Sequence, residues 1–291
     1  MNKSNLLLFL FCLFFCVSCT PTKSDKKIIT VTIEPQRYFV EQLVDSLFEV
    51  STMVPPNISP ETYDPSPVQM AKLADSDAYF RIGQIGFELA WMDKIESNNP
   101  NLKIFDNSKN ILFISSSKDE NNEHSNENHR HSLLDPHIWN SPKQAVILTQ
   151  NICNALVTLD KKNAEIYRKN LNKLHSKIAE TDSIVTALLN KSKSKSFIIY
   201  HPALTYLARD YGLTQHCIEM DGKEPTPDQL KQLIKLAREE NIKTIFIQQE
   251  FDQKNAEIIA KETNSNLVVI NPLSYNWNEE MVKIAKALAD E

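Results

Sequence analysis

The stretch Asn163–Leu189, NAEIYRKNLNKLHSKIAETDSIVTALL, decides how this chain is organised. Ala164, Tyr167, Leu171, Leu174, Ile178, Thr181, Val185 and Leu188 recur at spacings of three and four, which places them along one face of a continuous helix. At ~1.5 Å per residue such a helix runs about 40 Å, longer than a small lobe is wide. A helix of that reach can tie two lobes together, although an ordinary core helix or a coiled-coil arm shows the same periodicity.

Outward from that helix, both flanks alternate short β-branched runs with helical patterns, the signature of parallel βαβ units covered by helices. On the N-terminal side the pattern predicts strands at Ile28–Ile33, Ala78–Ile82 and Leu102–Phe105, with helices near Arg37–Phe48, Pro67–Ala74 and Phe87–Ile95. On the C-terminal side it predicts strands at Phe197–Tyr200, Thr244–Gln248 and Leu267–Ile270. Helices follow near Leu204–Tyr211, Pro227–Glu240, Ala256–Thr263 and Glu279–Ala289. The fold class is therefore α/β: two lobes with parallel sheets joined by one long rigid linker helix. The N-terminal lobe spans 28–140, the linker helix region 141–194 and the C-terminal lobe 195–291. No internal sequence repeat stands out. Only four glycines occur in the chain, so Gly-rich hinges are absent and lobe motion should be small.

The N-terminus reads as a signal peptide over 1–18. Lys3 supplies the positive start, Leu6–Val17 is almost wholly apolar, and Ser18-Cys19 precedes the polar stretch Thr20–Asp25. The apolar run is shorter than the ~20 residues a spanning helix needs. A small residue before Cys19 resembles a lipobox, which predicts lipidation at Cys19 and a lipidated linker over 19–27. Cys16 departs from that pattern where Leu is usual, and a plain secreted chain with unmodified Cys19 is the alternative. The expected location is the cell envelope, on the periplasmic or extracellular face of the membrane.

A net charge of −5 with both signs mixed along the chain gives no basic surface, so nucleic acid is excluded as a partner. The chain is expected to be a monomer. Cys153 and Cys217 are too few for a disulfide scaffold and read as two buried free thiols, with a single bridge as the alternative. The segment 115–132 carries His124, His129 and His131 among Ser, Asn, Asp and Glu, and has no apolar face to bury. It reads as a mobile loop, either an accessory metal tract or a solvated surface.

His137 and His201 are the strongest candidates for chemistry. Pro136 precedes the first and Pro202 follows the second, and His201 comes directly after a strand, where α/β folds place their ligands. Neutral imidazole and carboxylate are the donors that Zn²⁺ accepts. The same donor set with an open position also builds catalytic zinc sites, with Glu250 and Asp221 as the base candidates. However, the chain has no His-Glu-x-x-His helix, no Gly-x-Ser-x-Gly elbow and no Gly-rich phosphate loop, and an enzyme is not expected.

Three segments together resemble the metal-binding receptors, of zinc and manganese type, that feed ABC transporters. They are Pro60-Glu61-Thr62-Tyr63-Asp64-Pro65, Asp135-Pro136-His137-Ile138-Trp139 and Phe197-Ile198-Ile199-Tyr200-His201. Asp221–Pro227 and Phe251–Lys254 add to the resemblance, which covers nearly the whole mature chain and includes the long linker helix. It implies metal ligands at positions 61, 137 and 201 and just before Pro272-Leu273. Glu61 stands where the family usually has His, and Asn271 where it usually has a carboxylate. The implied set is Glu61, His137 and His201, with Asn271 or water completing it in a cleft between the lobes. Tyr63, Trp139 and Tyr200 are expected to pack around it. The implied cargo is Zn²⁺, with Mn²⁺ or Fe²⁺ compatible with the same ligands. The implied partners are an ABC transporter permease and, through the lipid, the membrane. A metal-free adhesin or scaffold lipoprotein is the remaining alternative, because two family ligands are changed.

Overall fold

The computed structural model describes residues 26–115, 134–219 and 222–290. The signal segment, Cys19, Asp221 and the loop histidines His124, His129 and His131 lie outside the described residues.

The first sheet is assembled from β1 (Ile28–Val31), α1 (Glu34–Val44), β2 (Glu49–Thr52), α2 (Pro67–Ala74), β3 (Ala78–Arg81), α3 (Gly86–Asn98) and β4 (Lys103–Asp106). Its strands are all parallel, in the order β2-β1-β3-β4. Two helices follow, α4 (Pro142–Leu159) and α5 (Ala164–Leu189), the second being the long helix of the repeat pattern. The second sheet comes from β5 (Ser196–Ile199), α6 (Thr205–Tyr211), β6 (Thr214–Cys217), α7 (Pro227–Glu239), β7 (Thr244–Gln248), α8 (Lys254–Thr263), β8 (Asn266–Ile270) and α9 (Trp277–Ala289). It is again parallel, in the order β6-β5-β7-β8.

The two sheets therefore repeat one strand order although the sequence shows no overall repeat. One local echo exists. Ser66-Pro67-Val68-Gln69 and Thr226-Pro227-Asp228-Gln229 both start a helix with a reciprocal cap, in which the hydroxyl accepts from the Gln N–H and the Gln side chain accepts from the cap N–H. Such a cap contributes about 1 kcal/mol, and proline costs nothing at the first helical position.

Two strands escaped the sequence pattern, β2 and β6. Glu49-Val50-Ser51-Thr52 and Thr214-Gln215-His216-Cys217 are polar, half-exposed runs on sheet edges, held by register to β1 and β5 rather than by an apolar face. The linker region also contains α4, which packs along α5. Helix α1 begins three residues earlier than the pattern suggested, since Pro35 suits the first turn, and ends at Val44, where Asp45 adopts φ 52°.

The largest core runs from the first sheet through α1, α4 and α5 to one face of the second sheet, which contributes Phe197, Ile199 and Phe246. The alternate residues Ile198, Tyr200, Ile245 and Ile247 face a smaller core under α7 and α8. Strand alternation thus seats the second sheet between two apolar layers. Side chains also stitch the two sides of α5 together. Trp139 Nε1–H donates to Pro272 O (2.8 Å), and Trp277 Nε1–H donates to Trp139 O (2.7 Å). The Tyr206 hydroxyl donates to Asp135 O (2.7 Å), and Asn140 Nδ2 to Ala203 O (2.9 Å). Both tryptophans are fully buried, so these bonds are shielded from water and favour a fixed lobe arrangement. Cys153 is buried and Cys217 only half-buried, and the two are not bridged by a disulfide. The expectation of two buried thiols needs that correction, because Cys217 ends an edge strand. No helix among the described residues is long and apolar enough to cross a membrane.

Candidate metal centre

Glu61, His137 and His201 converge: one donor atom from each lies within 4.8 Å of the other two. Their backbones come from three separate loops. Glu61 sits in the turn before α2, His137 caps the short helix Ile138–Asn140 that leads into α4, and His201 follows β5.

Each donor is aimed from behind. Asp135 Oδ1 accepts both the His137 backbone N–H (2.9 Å) and its ring Nδ1–H (2.8 Å), a local turn that turns Nε2 toward the site. His137 Nε2 lies 4.0 Å from Glu61 Oε1. The His201 Nδ1 meets both oxygens of Glu219 at 3.2 Å, leaving Nε2 as the inward atom. The two imidazole centroids are 5.1 Å apart. Glu61 Oε2 accepts from the Gly86 N–H at the start of α3 (3.0 Å), where the helix end favours a carboxylate. Gly86 is required there, because a Cβ on it would stand 2.3 Å from the Glu61 carbonyl oxygen.

Glu61 Oε1 and His201 Nε2 are buried without a hydrogen-bond partner. Buried polar atoms left unpartnered cost about 1–3 kcal/mol each, so an arrangement that leaves two facing one space is suited to an ion. Three donors of this kind, two neutral imidazoles and a carboxylate, are a zinc-type set, and the carboxylates behind both rings add to their basicity.

The electrostatics agree. Burial opposes ionisation of Asp135, but the His137 charge and hydrogen bonds outweigh it and hold the carboxyl below its ordinary range. Burial likewise pushes His137 down, yet Asp135, Glu61 and Glu219 together raise it above the ordinary imidazole value. A pocket that draws a proton onto a buried imidazole draws a cation for the same reason.

Of the expected aromatic neighbours, Trp139 lies beside His137 (centroids 5.2 Å). Tyr63 packs on Phe87 (5.5 Å), and Tyr200 stacks on Phe251 (4.9 Å). Asn271 directs its Oδ1 to the Leu273 N–H (3.1 Å), and its own N–H donates to Glu280 (2.7 Å). Asp135 and Glu219 went unassigned in the sequence. Asp135 was legible two residues before His137. Glu219 was hidden because β6 was missed: the pairing Ile199↔Cys217, continued two residues, sets Glu219 beside His201.

A family model described as "ZnuA: Zinc-uptake complex component A periplasmic" matches residues 29–290. The chain belongs to the ZnuA family. Among relatives, it is 29% identical over 267 residues to the "High-affinity zinc uptake system protein ZnuA" of Bacillus subtilis, covering 90% of this chain and 83% of that protein. It is also 29% identical over 288 residues to the "Zinc-binding lipoprotein AdcA" of Streptococcus pneumoniae strain R6, covering 96% of this chain. The chain spans 57% of the length of that AdcA and 58% of the length of the Streptococcus pyogenes AdcA proteins it also matches. A solved structure titled "Crystal structure of ZnuA" superposes with a TM-score of 0.83 at 34% identity, covering 91% of this chain and 99% of the other. The resemblance to metal-binding receptors read from the three loops and the two-lobed parallel-sheet fold are thus established together. The family description is that of an uptake component and names no reaction.

Proposed function

We propose that this chain is an extracytoplasmic receptor that captures Zn²⁺ and delivers it to an ABC transporter permease for uptake. The observation that carries the reading is the convergence of Glu61, His137 and His201 within 4.8 Å, with a carboxylate behind each imidazole. Zinc-uptake names among the relatives support the cargo. Irving–Williams ordering favours Zn²⁺ over Mn²⁺ and Fe²⁺ at such a site. Glu61, His137 and His201 are the proposed ligands, and no turnover is proposed for the bound ion.

In this reading the lobes 28–140 and 195–291 form the two walls of the site and the region 141–194 fixes their spacing, so capture requires side-chain adjustment rather than wide closure. The chain acts as a monomer, tethered at the cell envelope by lipid on Cys19, a reading supported by the lipobox-like Ser18-Cys19 and the lipoprotein name of a relative. His124, His129 and His131 would serve as an accessory tract. Competition titration of the purified protein with Zn²⁺, Mn²⁺ and Fe²⁺ tests the cargo. One tight Zn²⁺ site is expected; tighter Mn²⁺ or Fe²⁺ binding would change the cargo, and no binding of any of the three would leave a scaffold.

A further inference from the structure

His137 is aimed by Asp135, and the group that holds Asp135 comes from the other side of the long helix. Ser115 and Leu134 pair as an antiparallel bridge, and beside it the Asp135 N–H donates to the Ile114 carbonyl (2.8 Å). Two residues that face each other in such a pair exchange both of their N–H···O bonds. Here the second bond is relayed. The Ile114 N–H donates to the Tyr206 hydroxyl (3.2 Å), and that hydroxyl donates to the Asp135 carbonyl (2.7 Å). Tyr206 lies in α6, in the segment that follows His201, and is fully buried. Arg209, on the next turn of α6, covers the Tyr206 ring with its guanidinium 5.0 Å from the centroid and donates to the Leu112 carbonyl (3.4 Å). One helix of the lobe 195–291 thus grips both sides of the stem that carries Asp135. The grip extends to a metal donor, because Asp135 Oδ1 accepts both the backbone N–H and the ring Nδ1–H of His137. Without the hydroxyl, the Ile114 N–H and the Asp135 carbonyl must find other partners. A turn of the Asp135 backbone toward one carries its carboxylate along, and the His137 ring with it.

We propose that Tyr206 is a positioning residue for metal capture: its hydroxyl, inserted between Ile114 and Asp135 from the lobe that carries His201, fixes the direction of the His137 donor. The segment 201–206 then supplies one imidazole and sets the aim of the other. This inference rests on the metal-receptor reading of Glu61, His137 and His201, and deepens it by naming the group that registers the two imidazoles across the lobes.

The test is zinc affinity of the purified protein by competition with a chromophoric chelator, for wild type, Tyr206→Phe, Asp135→Asn, the double variant, Tyr211→Phe and His137→Ala. Tyr211 is the control: it lies on the same helix, and its hydroxyl donates to Asp182 on α5, so its loss removes a tyrosine hydroxyl bond that aims no donor. Expected is a loss of about threefold or more in Tyr206→Phe and less in Tyr211→Phe. In the Asp135→Asn background, Tyr206→Phe should add less than about twofold, because the hydroxyl acts through that carboxylate. A Tyr206→Phe loss below about threefold, or a double variant whose loss is the product of the two single losses, overturns the proposal. Amide exchange in the wild type gives a readout that needs no variant. Since coupling between two sites is reciprocal, zinc should slow exchange of the Ile114 N–H by about tenfold more than that of the Leu213 N–H, which bonds Ala208 at the far end of α6. Equal slowing of the two overturns the proposal as well. Failure of the metal reading itself looks different: wild type does not bind zinc, or His137→Ala binds as wild type does.

Discussion

The two walls of the proposed metal centre are held with unequal firmness. On the wall that precedes the long helix, the His137 side chain is 8% exposed and pinned by Asp135 through both its backbone and its ring, and Glu61 rests on the Gly86 N–H with no room for a Cβ between them. On the wall that follows it, the His201 side chain is 17% exposed, and its ring shares two longer 3.2 Å contacts with Glu219, whose side chain is 11% exposed. The donor atoms lie within 4.8 Å of one another, with His137 Nε2 and Glu61 Oε1 4.0 Å apart, whereas ligands about 2.0–2.2 Å from one zinc ion sit closer together. The closing shift should fall on the looser wall, His201 and its turn. In the proposed function, a receptor that binds its ion and then hands it on would be served by one rigid half and one adjustable half.

The comparison can be broken most directly by deleting a ligand from the rigid wall. His137→Ala should lower zinc affinity by more than the roughly 10–100-fold typical of outer partners, and by more than His201→Ala, because the looser wall can readjust around a substitute water. Equal losses would mean the walls are equivalent. Gly86→Ala comes next. Its new Cβ meets the Glu61 backbone at 2.3 Å, which the main chain can relieve only by shifting the Glu61 turn, and an affinity loss of about tenfold or more is expected in a folded protein. Calorimetric titration beside a circular dichroism melt separates the two effects.

Asp135→Asn should then cost nearer the top of the ~10–100-fold range and Glu219→Gln nearer the bottom, since Asp135 is the more buried and makes the shorter contact. The reverse order would place the rigidity on the other wall. The pH profile gives the sharpest sign. His137 is raised above its ordinary value of about 6.5, so in the metal-free protein its protonation stabilises the fold below that pH, and the contribution disappears as pH rises through the folded pKa. Zinc requires the neutral ring, so affinity should fall on acidification, beginning above about pH 6.5. Melts of the metal-free protein and zinc titrations across about pH 5 to 8 should therefore slope in opposite directions, and affinity that stays flat across that range would remove the two-imidazole assignment. The smallest effect is expected from replacing His124, His129 and His131 together, which should change affinity less than about threefold, because the converging donors lie elsewhere.

Much of this was legible in the sequence because it is carried by periodicity and local motif. The long helix follows from Ala164 to Leu188, and α2 from Pro67 behind its Ser66 cap. The central strands follow from the apolar runs at 197–200 and 244–248. Glu61, His137 and His201 were named from three loops, and those loops meet. What was not legible depends on register and three-dimensional neighbours. β2 and β6 are polar edges that exist because β1 and β5 offer them hydrogen bonds, and Glu219 became visible only through β6. Gly86 reads as an ordinary helix start until the Glu61 carbonyl is seen against it.

The most direct measurement is zinc titration of the purified wild-type protein beside His137→Ala and the variant lacking the three loop histidines. One tight site, retained without the loop histidines and lost without His137, is the expected result. Tight binding that survives in His137→Ala and disappears with the loop histidines would contradict the placement of the metal centre between the two walls.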